Sequence, residues 1–370
     1  MYDSKKILIF QPTIGAYRID LFNTLSKHFN LNIYIEYSQS DFEIYNPELS
    51  KNLLCKPNIL KKNLKLINRQ LYKGYWSAIK KSKPDIVLVS EFGFNAIASI
   101  IYRIFTKKRY KIISLCDDSF YMLSTGKNFS RIHKFIRGLI TPFLDNLILV
   151  EPDACEWYKK RYHKGIYFPI VSDEIRMRRE YTDSLNKSDE YIRQYQLEGK
   201  KIILYVGRLI EIKNVESLIH AFKKIYSHDT NLIIVGDGEQ AQYLKEISSD
   251  NPNIIFTGRL HGQELYAWYN IAHILALPSI IEAFGAVTNE SLVGGCKVLI
   301  SNRAGSRCLV KDGINGYHIN PSDINDIASK MEIMISNITT TCHLPTTLRE
   351  SLMIEDYPSL TTNLISEISK

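Results

Sequence analysis

The chain has 370 residues, 45% of them apolar and 23% charged, with 47 lysines and arginines against 39 aspartates and glutamates. That length suits two cores of ordinary domain size, and the composition excludes a disordered or fibrous chain. The charge is unevenly divided: residues 1–165 carry a net charge of +13 and the remainder −5, so two domains are expected to face different partners.

The opening MYDSKKILIF leads into a short strand-like run without a long apolar region or small-residue cleavage site, so no secretory signal is expected. The most apolar stretches (97–101, 147–150 and 271–281) are too short for the roughly 20 residues of a membrane span. Cys55, Cys116, Cys155, Cys296, Cys308 and Cys342 are scattered with no Cys-x-x-Cys, which reads as reduced thiols and a cytoplasmic setting rather than a zinc or iron–sulfur site.

From residue 5 the pattern is strand, loop, helix, repeatedly. KKILIF (5–10) reads as a buried strand, 19–29 has helical apolar spacing, and LNIYIEY (31–37) is again a strand. PDIVLVS (84–90) and YKIISL (110–115) are β-rich runs around a helical 95–105, and NLILVE (146–151) closes the series. Strands alternating with helices predict a parallel, doubly wound sheet, because parallel neighbours need crossovers. Residues 1–171 are assigned to this first Rossmann-like domain. Residues 172–200 are densely charged without a strand signal and read as an interdomain connection with a helix at its end. A second series follows: strands at 201–207, 231–236, 253–258, 273–279 and 297–301, with helices at 214–226, 239–248, 262–272 and 285–294. It gives a second domain over 201–345, and 346–370 is assigned to a C-terminal helical segment packing back on the first domain. The expected fold class is α/β, two tandem Rossmann-like domains facing a cleft, with ligands at the carboxyl ends of the strands.

The second series places its polar signals at those ends. Arg208 follows LYVG, and Lys213 precedes a helix start at Asn214. A guanidinium fork, an ammonium and a helix N-terminus suit a diphosphate. The IIVGDGE turn (233–239) adds only a weak Gly-x-Gly. Glu282 and Glu290 are more telling, because they stand in an otherwise apolar or small stretch, LALPSIIEAFGAVTNESLVGGCKVLIS. Were 282–290 all helix, the two would lie about 12 Å apart along its axis. That exceeds the roughly 5.5 Å of a retaining hydrolase pair and the inverting range too. A helix start at Phe284-Gly285 instead leaves Glu282 in the preceding loop and Glu290 about a turn and a half inside. Free amides then lie between the two carboxylates. Sugar, diphosphate and ribose have the matching layout of hydroxyls, anion and hydroxyls.

The stretch Glu282-Ala-Phe-Gly…Glu290, followed by Gly294-Gly295, resembles the E-x7-E signature of the retaining glycosyltransferases of family four, the glycosyl transferases group 1, whose fold is GT-B. VGRLIEIKNVESLIHAF (206–222) looks like the family's phosphate-binding segment, 233–239 like its next strand and turn, 254–260 like the strand leading to the nucleobase, and 304–319 like its glycine-rich segment. Residues 201–320 match in order, whereas the first domain matches mainly through QPTIGAYRIDLFNTL (11–25). The resemblance implies a hexose-type sugar moved with retention from a nucleotide-diphosphate sugar to a glycan or lipid-linked acceptor in surface-polysaccharide biosynthesis. It implies Glu282 on the donor sugar, Glu290 on the ribose, and Arg208 and Lys213 on the diphosphate. Main-chain amides at Phe284 and Gly285 also reach the donor, Arg259 and Leu260 lie toward the nucleobase, and Gly15 allows close backbone approach.

Two departures bear on this: Ala283 and Ser291 stand where the family more usually has proline and alanine. Where many members carry a histidine, this chain reads CDDS, which makes Asp117 or Asp118 the acceptor-side candidate. No Asp-x-Asp occurs near a strand end, so neither a metal nor any other cofactor is expected.

Basic clusters recur in the first half: Lys61-Lys62 with Lys65, Lys80-Lys81 with Lys83, Lys107-Lys108-Arg109 with Lys111, Arg131 with Lys134 and Arg137, and Lys159-Lys160-Arg161. Several abut apolar residues on helices, as in HKFIRGLITPF (133–143), so the expected partner is an anionic membrane surface on the cytoplasmic side. Nucleic acid is not expected, since no nucleic-acid motif accompanies the charge. A nucleotide-sugar epimerase and a non-catalytic basic binding protein are the competing readings, because a fold alone does not fix function.

Overall fold

The computed structural model describes residues 5–36, 51–60, 62–66, 69–72, 74–127, 129–225, 229–339, 342 and 347–370. The described residues of Met1–Asp118, Asn128–Ile170 and Pro358–Lys370 form one compact unit, and those of Ser119–Lys127 and Val171–Tyr357 form a second.

The first unit contains β1 (Lys6–Gln11), β2 (Asn30–Ile35), β3 (Asn58–Ile59), β4 (Lys62–Leu66), β5 (Arg69–Tyr72), β6 (Ile86–Ser90), β7 (Lys111–Cys116), β8 (Asn146–Leu149) and β9 (Ile166–Tyr167). Seven of these make a parallel sheet in the order β3-β2-β1-β6-β7-β8-β9, while β4 and β5 pair as a separate antiparallel hairpin. Ile7 to Phe10 and Val87 to Val89 are fully buried, as expected of central strands covered by helices on both faces. The runs predicted at 5–10, 31–37, 84–90, 110–115 and 146–151 are β1, β2, β6, β7 and β8, with Tyr37 outside the described residues. The two-residue strands β3 and β9 are too short to leave a periodic signal.

The second unit holds β10 (Lys201–Val206), β11 (Thr230–Val235), β12 (Ile254–Gly258), β13 (Ile274–Leu277), β14 (Lys297–Ser301) and β15 (Gly316–Ile319), all parallel, ordered β12-β11-β10-β13-β14-β15. In each sheet the winding reverses once beside the first strand, between β1 and β6 and between β10 and β13. Such switch points leave a crevice at the carboxyl ends of the strands. The fold class is the one expected, with a core around Ile203, Leu232, Ile274 and Leu299 in the second unit.

Residues 172–200 differ from the expected connection. They form the helices Glu174–Asp183 and Leu185–Gln194, and they belong to the second unit. The Asp173 carboxylate caps the first by accepting from the amides of Ile175 at 3.0 Å and Arg176 at 3.3 Å. Met177, Tyr181, Tyr191 and Ile192 supply an apolar stripe that the surrounding charge hides from a composition reading. Tyr191 stacks on Trp268 with ring centres 4.8 Å apart, and Asn270 Nδ2 donates to the Tyr181 carbonyl at 2.9 Å. Ser119–Lys127 also belongs to the second unit, where the Arg303 guanidinium lies 5.3 Å from the centre of the Tyr121 ring. The described part of 346–370 is divided. Arg349 Nη2 donates to the carbonyls of Tyr269 at 2.6 Å and Gly294 at 2.9 Å in the second unit, whereas the helix Tyr357–Ser369 falls from Pro358 onward in the first.

Candidate active site

In the second unit the loops after β10, β11 and β12 interlock. Gly207 N donates to the Val235 carbonyl at 3.0 Å, Leu209 N to the Asp237 carbonyl at 2.9 Å, and Gly236 N to the Gly258 carbonyl at 2.9 Å. Gly236 sits at φ 152°, and a β-carbon there would lie 1.9 Å from the Gly207 carbonyl oxygen. Only glycine fits that crossing. The exposed Arg208 projects from this knot, with its carbonyl accepting the Tyr205 hydroxyl at 2.9 Å. Arg259 and Leu260 follow β12 at the sheet edge, Arg259 exposed and Leu260 half-buried.

The predicted carboxylates lie in or just beyond the loop after β13. Glu282 is ion-paired with Lys213 through Oε2 and Nζ, with 11% and 14% of their side chains exposed. Ser279 Oγ donates to the same oxygen at 3.2 Å. Lys213 ends the short turn Glu211–Lys213, which docks on this loop: Ile280 N donates to the Ile212 carbonyl at 2.9 Å, and Asn214 Nδ2 to the Pro278 carbonyl at 3.1 Å. Two motifs 69 residues apart therefore meet as one pair.

The helix predicted from 285 begins at Val287 and ends at Val293. Phe284 and Gly285 remain in the loop, and their amides have no hydrogen-bond partner among the described residues. Phe284 points its ring into the core. Gly285 is at φ 97°, where a β-carbon would meet Leu277 Cδ2 at 2.7 Å. Glu290 lies on that helix, half-buried by solvent contact yet set among protein atoms on every side. Desolvation raises its carboxyl above the ordinary value, while the Tyr269 hydroxyl, donating to Oε2 at 2.7 Å, and the charge of Arg176 pull it down. Oε1 has no donor among the described residues. Neither Tyr269 nor Arg176 could be found from the sequence. Tyr269 is one apolar-patterned residue among several on its helix, and Arg176 lies in the segment read as a connection.

The first unit has its own cavity at the β1/β6 switch point, about 320 Å³ in volume, lined by residues at the carboxyl ends of β1, β2, β6 and β7. Gly15 and Asp117 both line it. Asp117 is ion-paired with Arg18 through Oδ1, and Tyr17 OH lies 3.5 Å from Oδ2. Asp118 turns away: it is buried, bonded to Arg137 Nη2 at 2.8 Å and to Cys116 Sγ at 3.0 Å. Gly15 has an ordinary φ of −76°, and a β-carbon would crowd only the movable Tyr17 ring. The conformation of this loop by itself therefore does not require glycine at this position.

Glu91, at φ 48°, is the residue here that sequence reasoning passed over. It is exposed by solvent contact yet closely ringed by protein atoms, and desolvation together with Asp118 and Asp117 pushes its carboxyl up to about 7 against the pull of Arg137 and Arg18. Nearby, Asn95 Nδ2 donates to Glu36 Oε1 at 2.8 Å, and Gln11 Nε2 is buried without a partner. Among the described residues no cluster of three or more His, Cys, Asp or Glu side chains is arranged to hold a metal ion. All six cysteines are free thiols.

Residues 187–343 match the family described as glycosyl transferases group 1. An uncharacterized 41.2 kDa protein in the cps region of Klebsiella pneumoniae is 24% identical over 314 residues, covering 82% of this chain and 85% of that one. A lipopolysaccharide 1,2-N-acetylglucosaminetransferase of Salmonella typhimurium is 33% identical over 161 residues, 38% of this chain and 42% of that one. The chain thus spans less than half the length of some curated relatives it matches, 37% in a further case. Among solved structures, HepE of Anabaena in complex with UDP superposes with a TM-score of 0.75 at 14% identity, over 99% of both chains. The fold is GT-B.

Proposed function

We propose, from the match of residues 187–343 to the glycosyl transferases group 1 family, that this chain is a retaining glycosyltransferase. A hexose-type sugar moves from a nucleoside-diphosphate sugar to a glycan or lipid-linked acceptor in surface-polysaccharide assembly. The observation that carries this reading is the Lys213–Glu282 pair beside the unpartnered amides of Phe284 and Gly285. Lys213, Arg208 and the two amides receive the diphosphate, a point charge, a fork and two donors. Glu282 accepts from hydroxyls of the donor sugar, and Glu290, with Oε2 held by Tyr269, accepts from the ribose through Oε1. Arg259 and Leu260 flank the nucleobase.

In the transfer, the acceptor hydroxyl oxygen bonds to the anomeric carbon on the face from which the diphosphate leaves. The carbon–oxygen bond to the diphosphate breaks, and the departing phosphate oxygen takes the hydroxyl proton. Negative charge grows on the leaving group, where preorganised Arg208, Lys213 and loop amides stabilise it more than in the ground state. Protein groups carry this charge, so activity survives a chelator; loss with EDTA, restored by a single divalent ion, would overturn that part. The central test is thermal unfolding of the full chain with UDP, GDP, ADP and CMP. A nucleotide at about 100 times its Kd stabilises by about 2.7 kcal/mol. Indifference to all of them sinks the reading, and conversion of donor alone to an epimer would replace it by the epimerase.

A lipid-linked acceptor places the enzyme on the inner face of the cell membrane. Support comes from the helix Arg131–Ile140 and the turn after it, where Ile132, Phe135, Leu139 and Phe143 are 71%, 71%, 57% and 47% exposed. Arg131 and Lys134 flank that apolar row, and Lys107, Lys108 and Arg109 are exposed too. An apolar stripe edged with cations is the surface that lies in an anionic interface. Arg137 does not belong to it, being buried against Asp118. Lys61 lies outside the described residues, as do the side chains of Lys62 and Lys65. No described helix is long and apolar enough to cross a membrane. Liposome co-sedimentation tests the surface. Binding needs anionic lipid, fades with salt and drops when Lys107, Lys108 and Arg109 become Ser or Phe135 becomes Ser. Equal indifference to neutral and anionic vesicles at low salt leaves a soluble glycan as the acceptor.

A further inference from the structure

The cavity of the first unit holds polar groups that its own fold leaves unused. Gln11 closes β1 with its side chain 7% exposed, and Nε2 finds no acceptor. A buried amide left this way forfeits its hydrogen bonds to water without replacement, so a partner is to be expected in the space it lines. Glu91 lines the same space, and its carboxylate has no hydrogen-bond donor among the described residues. Its backbone is nonetheless held in the left-handed region from both sides: the amide donates to the Leu115 carbonyl at 2.9 Å, and its carbonyl accepts from Ser114 Oγ at 2.7 Å. A non-glycine residue fixed there stores strain that packing must offset, and such strain gathers at ligand sites.

The charges decide what could enter. Both nearby cations are committed: Arg18 to Asp117, and Arg137 to Asp118 behind the cavity wall. Among the described residues, Glu36 receives only the neutral Asn95 amide. The lining is therefore acidic, with one unused amide donor and unused carboxylate acceptors. An anion would meet Glu36 and Glu91 with no free guanidinium to offset them. A hydroxyl-rich neutral ring would satisfy the carboxylates with its O–H groups and the Gln11 amide with an oxygen. At about 320 Å³ the space lies at the small end of ligand pockets, adequate for one sugar ring.

We propose that this cavity is a specificity site for a single uncharged glycosyl unit, read by Gln11, Glu36 and Glu91, and closed to uronic acids and sugar phosphates. The proposal rests on the transferase reading and deepens it by naming the charge class of the acceptor's sugar. Glu91 also makes the site responsive to pH. It faces Asp117 and Asp118 after β7, Arg18 at the start of the first helix and Arg137 on the helix Arg131–Ile140, with Glu36 and Tyr17 in the same cavity. The buried Cys116 thiol lies within its field. With its carboxyl raised to about 7, Glu91 becomes the stronger, charge-assisted acceptor for a sugar hydroxyl as pH rises through neutrality.

Saturation-transfer NMR on the full chain with methyl glucoside, methyl galactoside, N-acetylglucosamine and glucuronate tests this, with affinity for UDP, GDP, ADP and CMP measured on the same samples. At least one neutral sugar binds at least about tenfold more tightly than glucuronate, and its affinity rises up to about tenfold from about pH 6 to about pH 8 as Glu91 ionises. Glu91→Gln flattens that rise, and Gln11→Ala weakens the neutral sugar at both pH values. Preference for glucuronate, no binding of any neutral sugar, or a pH response kept in Glu91→Gln overturns the assignment. Nucleotide binding retained in such a case confines the failure to this cavity, whereas indifference of the unaltered chain to UDP, GDP, ADP and CMP alike is failure of the transferase reading itself.

Discussion

The two units place polar groups at the same topological position, the switch point of a parallel sheet, yet they equip it in opposite ways. In the second unit the charged groups come already matched: Lys213 with Glu282, and Tyr269 on Glu290. Loops crossing at glycine-only distances hold them in place. In the cavity of the first unit the nearby cations are matched, whereas the Glu91 carboxylate and the Gln11 amide have no partner among the described residues. A site that must hold a diphosphate gains from cations fixed before the ligand arrives, because preorganised charge needs no rearrangement during reaction. A site that must hold a hydroxyl-rich ring gains from unused acceptors and an unused donor. The contrast explains why sequence motifs mark one unit and not the other: cations, glycines and carboxylates around a diphosphate recur in fixed spacing, whereas hydroxyl readers need only polar side chains at the ends of several strands.

The largest effect that would break this contrast lies in the matched pair. Lys213→Ala and Glu282→Ala are each expected to lower the rate of sugar transfer about 10²- to 10³-fold, the usual loss for one group at a developing charge. Each also destabilises by about 1–3 kcal/mol, because the remaining partner is left poorly solvated and unpaired. The double variant Lys213→Ala/Glu282→Ala recovers part of that stability and none of the turnover. Recovery of both would mean that the pair is structural only.

A second comparison uses glycines. Gly236→Ala forces a β-carbon into the Gly207 carbonyl at φ 152°, which is expected to cost about 1–3 kcal/mol by urea or thermal unfolding. Gly15→Ala has ordinary backbone angles and meets only the Tyr17 ring, so its change is expected to stay within about 0.5 kcal/mol. Equal losses would show that the first unit's loop is as tightly specified as the second's.

These positions also show what was legible in the sequence. Continuous apolar runs such as Ile202–Tyr205 announce a strand buried on both faces, and nearly every central strand was located within two residues of its ends. The pairing of Glu282 with Lys213 required the fold, since nothing local says that two loops 69 residues apart meet. Of the two helices at 174–194, Leu185–Gln194 is the one expected at the end of that segment, whereas Glu174–Asp183 escaped because its apolar residues are single ones embedded in charge. Arg176 was lost from view with it. Glu91 and Gln11 were illegible for a different reason. Each is an ordinary strand-end residue, and only the strand order brings β1, β6 and β7 together so that both face one cavity.

Tyr269→Phe sharpens the account of Glu290 at intermediate cost. It removes the donor to Oε2 and with it an influence that holds the carboxyl down, so the already raised carboxyl climbs further. Nucleotide affinity is expected to fall by about 1.5–3 kcal/mol where Glu290 is no longer ionised. Its loss on acidification then begins at higher pH than in the unaltered protein. Isothermal titration across pH with whichever of UDP, GDP, ADP and CMP stabilises the chain reads the shift, and superimposable pH curves would remove Glu290 from the ribose.

The smallest effect concerns Glu91 without any ligand. Its carboxyl is raised from 4.5 to about 7 in the folded protein, so between those values the folded chain holds a proton that the unfolded chain has released. Stability falls with pH wherever the native state binds the extra proton. The contribution of Glu91 is therefore fully present below about pH 4.5, declines as pH rises and is gone above about 7. Asp118 and Glu290 are raised too and shape the total curve, so only the difference between the wild type and Glu91→Gln isolates this residue. Glutamine keeps the shape and cannot ionise. The variant is expected to gain stability relative to wild type between about pH 4.5 and pH 7 and to hold that gain above it, measured by urea unfolding at a series of pH values. Because Glu91 opens onto solvent through the cavity, the gain is modest. A flat difference across the whole range would mean that Glu91 titrates as an ordinary surface carboxylate, and the contrast between an acid-bearing first unit and a charge-matched second would lose its most specific member.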